Sequence, residues 1–174
     1  MSVDERMVHD IVQKVVANMQ ISGEVTGMHG VFKDMNEAIN ASIEAQKKVQ
    51  VMTLDQREQI ISNIRKKTRE NAEILANMGV NETGMGNVGD KILKHHLTAD
   101  KTPGTEVITT TAWSGDRGLT LVEMGPFGVI GAITPATNPS ETVICNSIGM
   151  LAGGNTVVFN PHPNAKKTTI FTIN

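Results

Sequence analysis

The 174 residues include 39% hydrophobic and 20% charged side chains, the balance of an ordinary globular chain with enough material for one core. A net charge of −2 and an aromatic content of 3%, with no tyrosine, argue against a nucleic-acid or membrane surface as partner. Cys145 is the lone cysteine, so an internal disulfide is excluded and a reducing cytoplasm fits; no run of about 18 apolar residues and no secretory leader core occurs.

Residues 1–20 predict an amphipathic helix. Ser2 and Glu5 have capping-box spacing, and Met7, Val8, Ile11, Val12, Val15, Val16 and Met19 form one apolar stripe. The glycine-rich stretch 21–30 reads as a flexible linker, so the stripe either packs back on its own domain or docks in a partner's groove. A second helix starts at Asp34, with Glu37 in capping-box position, and Ala38, Ala41, Ala45, Ile39 and Ile43 suit close packing. A third, boxed by Thr53 and Gln56, is expected to run on through Ile60, Ile61, Ile64, Ala72, Leu75 and Met78. "GDKILKHHLTADKTPG" predicts a shorter helix stopped at Pro103-Gly104.

From Thr105 the pattern becomes β-rich. "TEVITTTAW" and "LTLVEM", separated by "SGDRG", predict a hairpin or two ribbon strands. "FGVIGAIT" predicts a strand covered on both faces, followed by the turn "PATNP" and a helix from Ser140 to the stop at Gly153-Gly154. "NTVVFN", the rigid turn "PHP" and the helical "NAKKTTIFTIN" complete a β-α-β-α order. The fold class is therefore α/β: N-terminal helices followed by the first βαβ of a Rossmann-like parallel sheet.

Gly84, Gly86 and Gly89 have the G-x-G-x-x-G spacing of a dinucleotide turn, but that turn must follow a strand and open a helix. Here the glycines follow "ENAEILANMGV", which is helical, so they read as a helix exit and turn. Ligands of open α/β sheets gather at the carboxyl ends of strands, which directs attention to "TPATNPS" and "NPHPNA". Asn138 could aim an amide N–H at a developing oxyanion, a donor worth about 3–4 kcal/mol when well placed. Alternatively Thr137, Asn138 and Ser140 simply cap the next helix. Cys145 falls on the apolar face of that helix, where a thiol packs in the core. Adjacent His95 and His96 point to different helix faces, no third ligand is evident, and no metal site is assigned. His162, between two prolines, either contacts a cofactor or is exposed.

The stretch "GLTLVEMGPFGVIGAITPATNPSETVICNSIGMLAGGNTVVFNPHPNAKKT" strongly resembles the aldehyde dehydrogenase superfamily. With "ETGMG", "DK" and "TPG" it is most similar to the CoA-acylating aldehyde dehydrogenases of ethanolamine and propanediol breakdown in bacterial microcompartments. The resemblance spans essentially the whole chain. It implies that an aldehyde is attacked by a cysteine thiolate, that hydride passes to NAD, and that the thioester is handed to coenzyme A. Carried over, Asn138 or Thr137 is the oxyanion donor; the two alternate because the flanking prolines align with a one-residue offset. Ile133, Thr134, Pro135, Asn160, Pro161, His162 and Pro163 become the cofactor-binding set. Asn160 and Pro163 stand where ordinary dehydrogenases have Lys and often Glu, which leaves the choice between NAD and NADP open.

The same resemblance divides the chain into a targeting helix (1–20), a linker (21–30), a helical part of the cofactor-binding domain (31–104), oligomerisation strands (105–124) and the start of a Rossmann-like NAD-binding domain (125–174). It implies an aldehyde of the acetaldehyde or propionaldehyde class as substrate, a microcompartment shell protein as partner of residues 1–20, a homo-oligomer, and a place in the microcompartment lumen. The family's nucleophilic cysteine belongs to a later domain, and Cys145 does not match its motif. The chain is therefore expected to be an N-terminal fragment with an incomplete fold, inactive alone. The rival expectation is a non-catalytic shell-docking or oligomer-capping protein.

Overall fold

The computed structural model describes residues 30–174; the targeting helix expected over 1–20, and the linker apart from Gly30, lie outside the described residues. Four helices come first: α1 (Met35–Val49), α2 (Leu54–Glu70), α3 (Ala72–Thr83) and α4 (Val88–Lys101), then a 3-10 turn at Thr105–Val107. Strands β1 (Thr111–Gly115) and β2 (Gly118–Val122) follow. Then come β3 (Val129–Thr134), α5 (Pro139–Ala152), β4 (Thr156–Pro161), a second 3-10 turn (Pro163–Ala165) and α6 (Lys166–Ile173).

Local chemistry sets the helix starts. Asp34 accepts from the amides of Asn36 and Glu37 at 2.7 and 3.0 Å, but the return bond of a full box is absent among the described residues. Thr53 and Gln56 form the complete reciprocal box. The long helix expected from Thr53 breaks at Asn71, which leaves helical geometry at φ −109° and ψ 8°. Its side-chain amide donates to the Lys67 carbonyl at 2.9 Å, the local competition by which Asn ends helices. Helix α1 also departs from expectation: Ile39 and Ile43 are exposed, and only Ser42 and Val49 are buried. It meets the sheet through polar groups instead. Gln46 donates to the Gly154 carbonyl at 2.9 Å and accepts from the Thr156 amide at 2.8 Å, while Ser42 bonds the Thr156 hydroxyl.

Strands β3 and β4 pair in parallel, from Val129 opposite Thr156 to Thr134 opposite Pro161, joined through α5. This is the βαβ unit expected from sequence. Burial along β3 alternates, with Ala132 and Thr134 buried and Gly131 and Ile133 exposed, so one face is covered rather than two. Strands β1 and β2 form a separate antiparallel hairpin whose residues are all exposed. The core gathers Ile61 of α2, Leu75 of α3, and Ile144, Ile148 and Ala152 of α5, with Phe171 of α6 against it. Each fully buried isoleucine there contributes about 1.5–3 kcal/mol. Cys145 is exposed, contrary to the core packing expected; it shares its face of α5 with exposed Gly149, one turn on, while the core takes Ile144 and Ile148.

Candidate functional site

Parallel pairing with Thr134 opposite Pro161 sets the two strand ends side by side. Ile133, Pro135, Thr137, Asn160, His162 and Pro163 lie at the surface there, Pro161 and Asn138 are half-buried, and Thr134 is buried with its hydroxyl lacking a hydrogen-bond partner among the described residues. All nine residues singled out from the sequence thus cluster at one edge, the carboxyl edge where open α/β sheets receive ligands. A depression lined by Val49, Arg57, Ile108, Pro126 and Gly154 lies at the opposite edge, where the strands begin.

Two helices start at this edge and differ in how their N-termini are satisfied. At α6 the Glu82 carboxylate, reaching from α3, accepts from the amides of Lys167 and Thr168 at 2.8 and 2.7 Å and from the Thr168 hydroxyl at 2.7 Å. At α5 Pro139 occupies the first turn, and Asn138 precedes it without any side-chain cap bond. Capping by Thr137, Asn138 or Ser140 is therefore not what these side chains do.

Helix α4 holds that second corner. Lys91, 3% exposed, donates from Nζ to the Thr137 carbonyl at 2.9 Å and to Glu141 Oε1 at 3.3 Å. Lys94 donates to Asn138 Oδ1 at 3.3 Å. Buried His95 stands 2.6 Å from the Lys91 carbonyl through Nδ1 and 2.8 Å from Ser140 Oγ through Nε2. A carbonyl only accepts, so Nδ1 carries a proton. Burial, the largest influence, pushes the ring below its usual range, against the opposing pull of the Glu141 charge. The neutral ring is thereby favoured, and the single Ser140 hydroxyl proton faces two acceptors, Nε2 at 2.8 Å and Glu141 Oε2 at 3.1 Å.

The glycine motif finds its role here. Gly84 ends α3 in left-handed geometry at φ 68°, and Gly86 turns the chain at φ 78° toward α4; Gly89 lies within α4 rather than in the turn. A β-carbon on Gly86 would stand 3.5 Å from Lys91 Cε, and one on Gly79 would stand 3.8 Å from Cδ, so these glycines line the Lys91 stem. In the sequence His95 stands out only as a possible metal ligand, and Lys91, Lys94, Glu141 and Glu82 are not singled out at all. The available signal was the i, i+3, i+4 spacing of Lys91, Lys94 and His95, which puts all three on one helix face. Among the described residues no cluster of three metal-ligating side chains occurs.

Comparison with known proteins identifies relatives. The aldehyde dehydrogenase family model matches residues 16–174. An acetylating acetaldehyde dehydrogenase of Bilophila wadsworthia is 45% identical over 174 residues, covering 95% of this chain and 36% of the relative. A CoA-propanoylating propanal dehydrogenase of Salmonella typhimurium is 49% identical over 141 residues, 81% of this chain and 30% of the relative. Among solved structures, a propionaldehyde dehydrogenase from the Clostridium phytofermentans fucose utilisation bacterial microcompartment is 77% identical. It superposes with a TM-score of 0.80 and covers 83% of this chain and 33% of that one. The chain thus spans about a third of the length of the curated relatives it matches. With its helices, its parallel βαβ unit and a match running from residue 16 to residue 174, the chain belongs to the aldehyde dehydrogenase family.

Proposed function

We propose that this chain forms the front of a CoA-acylating aldehyde dehydrogenase, which converts an aldehyde of the acetaldehyde or propionaldehyde class, NAD and CoA to acyl-CoA, NADH and a proton. The observation that carries the reading is the edge where β3 and β4 end together, with its polar and proline-stiffened corners. Support comes from the acetylating and CoA-propanoylating activities named for the relatives, and from a Rhodopseudomonas palustris propionaldehyde dehydrogenase, 49% identical, solved with bound propionyl-CoA.

The residues at this edge fit a dinucleotide. Ile133 and Pro135 offer apolar contact, and exposed Asn160 and His162 offer hydrogen bonds beside Pro161 and Pro163 to a sugar, while the unpartnered Thr134 hydroxyl leaves a buried polar atom to satisfy. NAD, when bound, supplies the hydride acceptor. Two amides of the first turn of α6, those of Lys167 and Thr168, are already taken by the Glu82 carboxylate, whose charge disfavours an anion there. Asn138, its oxygen turned to Lys94, presents its amide N–H to the substrate carbonyl oxygen as charge develops; Thr137 beside it is the alternative donor. An engineered glycolyl-CoA reductase, 49% identical, was solved with NADP+, and NADP is the alternative cofactor.

The 174 residues by themselves are proposed to be inactive, since the one thiol, Cys145, sits within α5 and not at a strand end. The test is NADH formation from propanal or acetaldehyde with NAD and CoA, in the complete enzyme carrying this chain and in the chain alone. Turnover by the chain alone would refute its inactivity, and no CoA-dependent turnover in the complete enzyme would refute the function. Residues 1–20 are proposed to bind a microcompartment shell protein, placing the enzyme in the lumen. A fluorescent protein fused to residues 1–22 should concentrate in microcompartments, whereas diffuse fluorescence would count against it.

A further inference from the structure

We propose that α4 is a positioning element for the chemistry: Lys91, Lys94 and His95 together fix the Thr137–Ser140 corner that presents the oxyanion donor. The inference rests on the function proposed above. Its basis is a one-to-one correspondence between three side chains of one helix face and successive groups of the corner. Lys91 takes the Thr137 carbonyl, Lys94 takes the Asn138 side-chain oxygen, and His95 takes the Ser140 hydroxyl.

Each contact constrains a different degree of freedom. Asn138 is at φ −139° and ψ 63°, outside helical geometry, and has no cap bond to hold its side chain. An unrestrained amide would rotate, and its oxygen would repel a developing negative charge. With Lys94 holding Oδ1, the amide nitrogen is left to donate. Lys91 fixes the peptide just before it through a carbonyl that no helix or strand bond uses. Ser140 and Glu141 lock the first turn of α5 to α4 from the other side, and Glu141 balances the buried Lys91 charge at 3.3 Å. None of the three α4 side chains needs to touch the aldehyde; they act through Thr137 and Asn138.

Two variants of the complete enzyme test this. Lys94→Met alters a solvent-exposed side chain and should leave folding intact. The double variant Lys91→Met/Glu141→Leu removes both buried charges together, which avoids leaving either one unpaired. For both, the expected result is a fall in kcat of about 10-fold or more, up to the roughly 100- to 1000-fold that loss of a well-placed donor costs. KM for aldehyde and NAD should stay within about twofold, with an unchanged melting temperature, and Lys94→Arg should restore most of the rate. Unchanged kcat in Lys94→Met, or in a double variant of unchanged melting temperature, would overturn the positioning role while leaving the function intact. If the double variant fails to fold, Lys94→Met and its arginine rescue decide. Absence of CoA-dependent turnover in the unsubstituted enzyme would overturn the function, and this role with it.

Discussion

His95 shows how one buried side chain can couple folding to acidity. Burial lowers its folded pKa below the ordinary value of 6.5, so on acidification the unfolded chain takes up the proton first. Its stabilisation is therefore complete above about pH 6.5 and is lost as pH falls from there toward the lowered folded value. One proton gives a slope of at most about 1.4 kcal/mol per pH unit. The urea midpoint should fall between pH 7 and pH 5.5, and His95→Gln should flatten that slope; an equally steep slope in the variant would assign the dependence to other groups. The residue's identity was visible in the sequence, but its neutrality was not. That comes from burial in the fold, won against the pull of Glu141, which lies 46 positions away in sequence and meets the ring only after folding.

At the scale of elements, the helix boundaries are mostly local events. Thr53 with Gln56, Gly84 in left-handed geometry and Gly153 with Gly154 act within a few residues, and each was readable as a start or stop signal. The break at Asn71 escaped because the apolar period runs through it, although the cause is again local, an asparagine bonding its own helix end. The start of α6 is different. Ala165 offers no cap, and the negative partner for its amides comes from Glu82 on α3. Glu82→Gln removes that charge and should lower stability by about 1–2 kcal/mol, read as a shift in the chemical denaturation midpoint. An unmoved midpoint would mean that the negative charge adds nothing beyond what a neutral amide oxygen supplies.

For the whole molecule the prominent feature is the β1–β2 hairpin. Leu119 and Leu121 project on one side and Trp113 and Val122 on the other, and all four are exposed. A two-stranded ribbon with two apolar faces is marginal in water and calls for cover. It is the surface through which copies of the enzyme are proposed to associate. Leu119→Lys with Leu121→Lys should shift the complete enzyme to smaller species in sedimentation velocity at fixed concentration; an unchanged distribution would exclude the hairpin from the assembly contact.

Composition, apolar periodicity and turn residues were by themselves sufficient to determine the α/β class, the βαβ order of the tail and the rejection of the glycine motif as a cofactor turn, and they singled out the two strand ends proposed as the site. These follow from interactions among residues close in the chain, whose spacing a sequence displays directly. The tertiary structure decided that β3 is covered on one face, that Cys145 faces outward, and that α4 grips the Thr137–Ser140 corner. Those features arise from contacts between residues about 44 to 50 positions apart, or from what a neighbouring element leaves uncovered. Pairings of that kind are set by packing in three dimensions, and no local pattern encodes them.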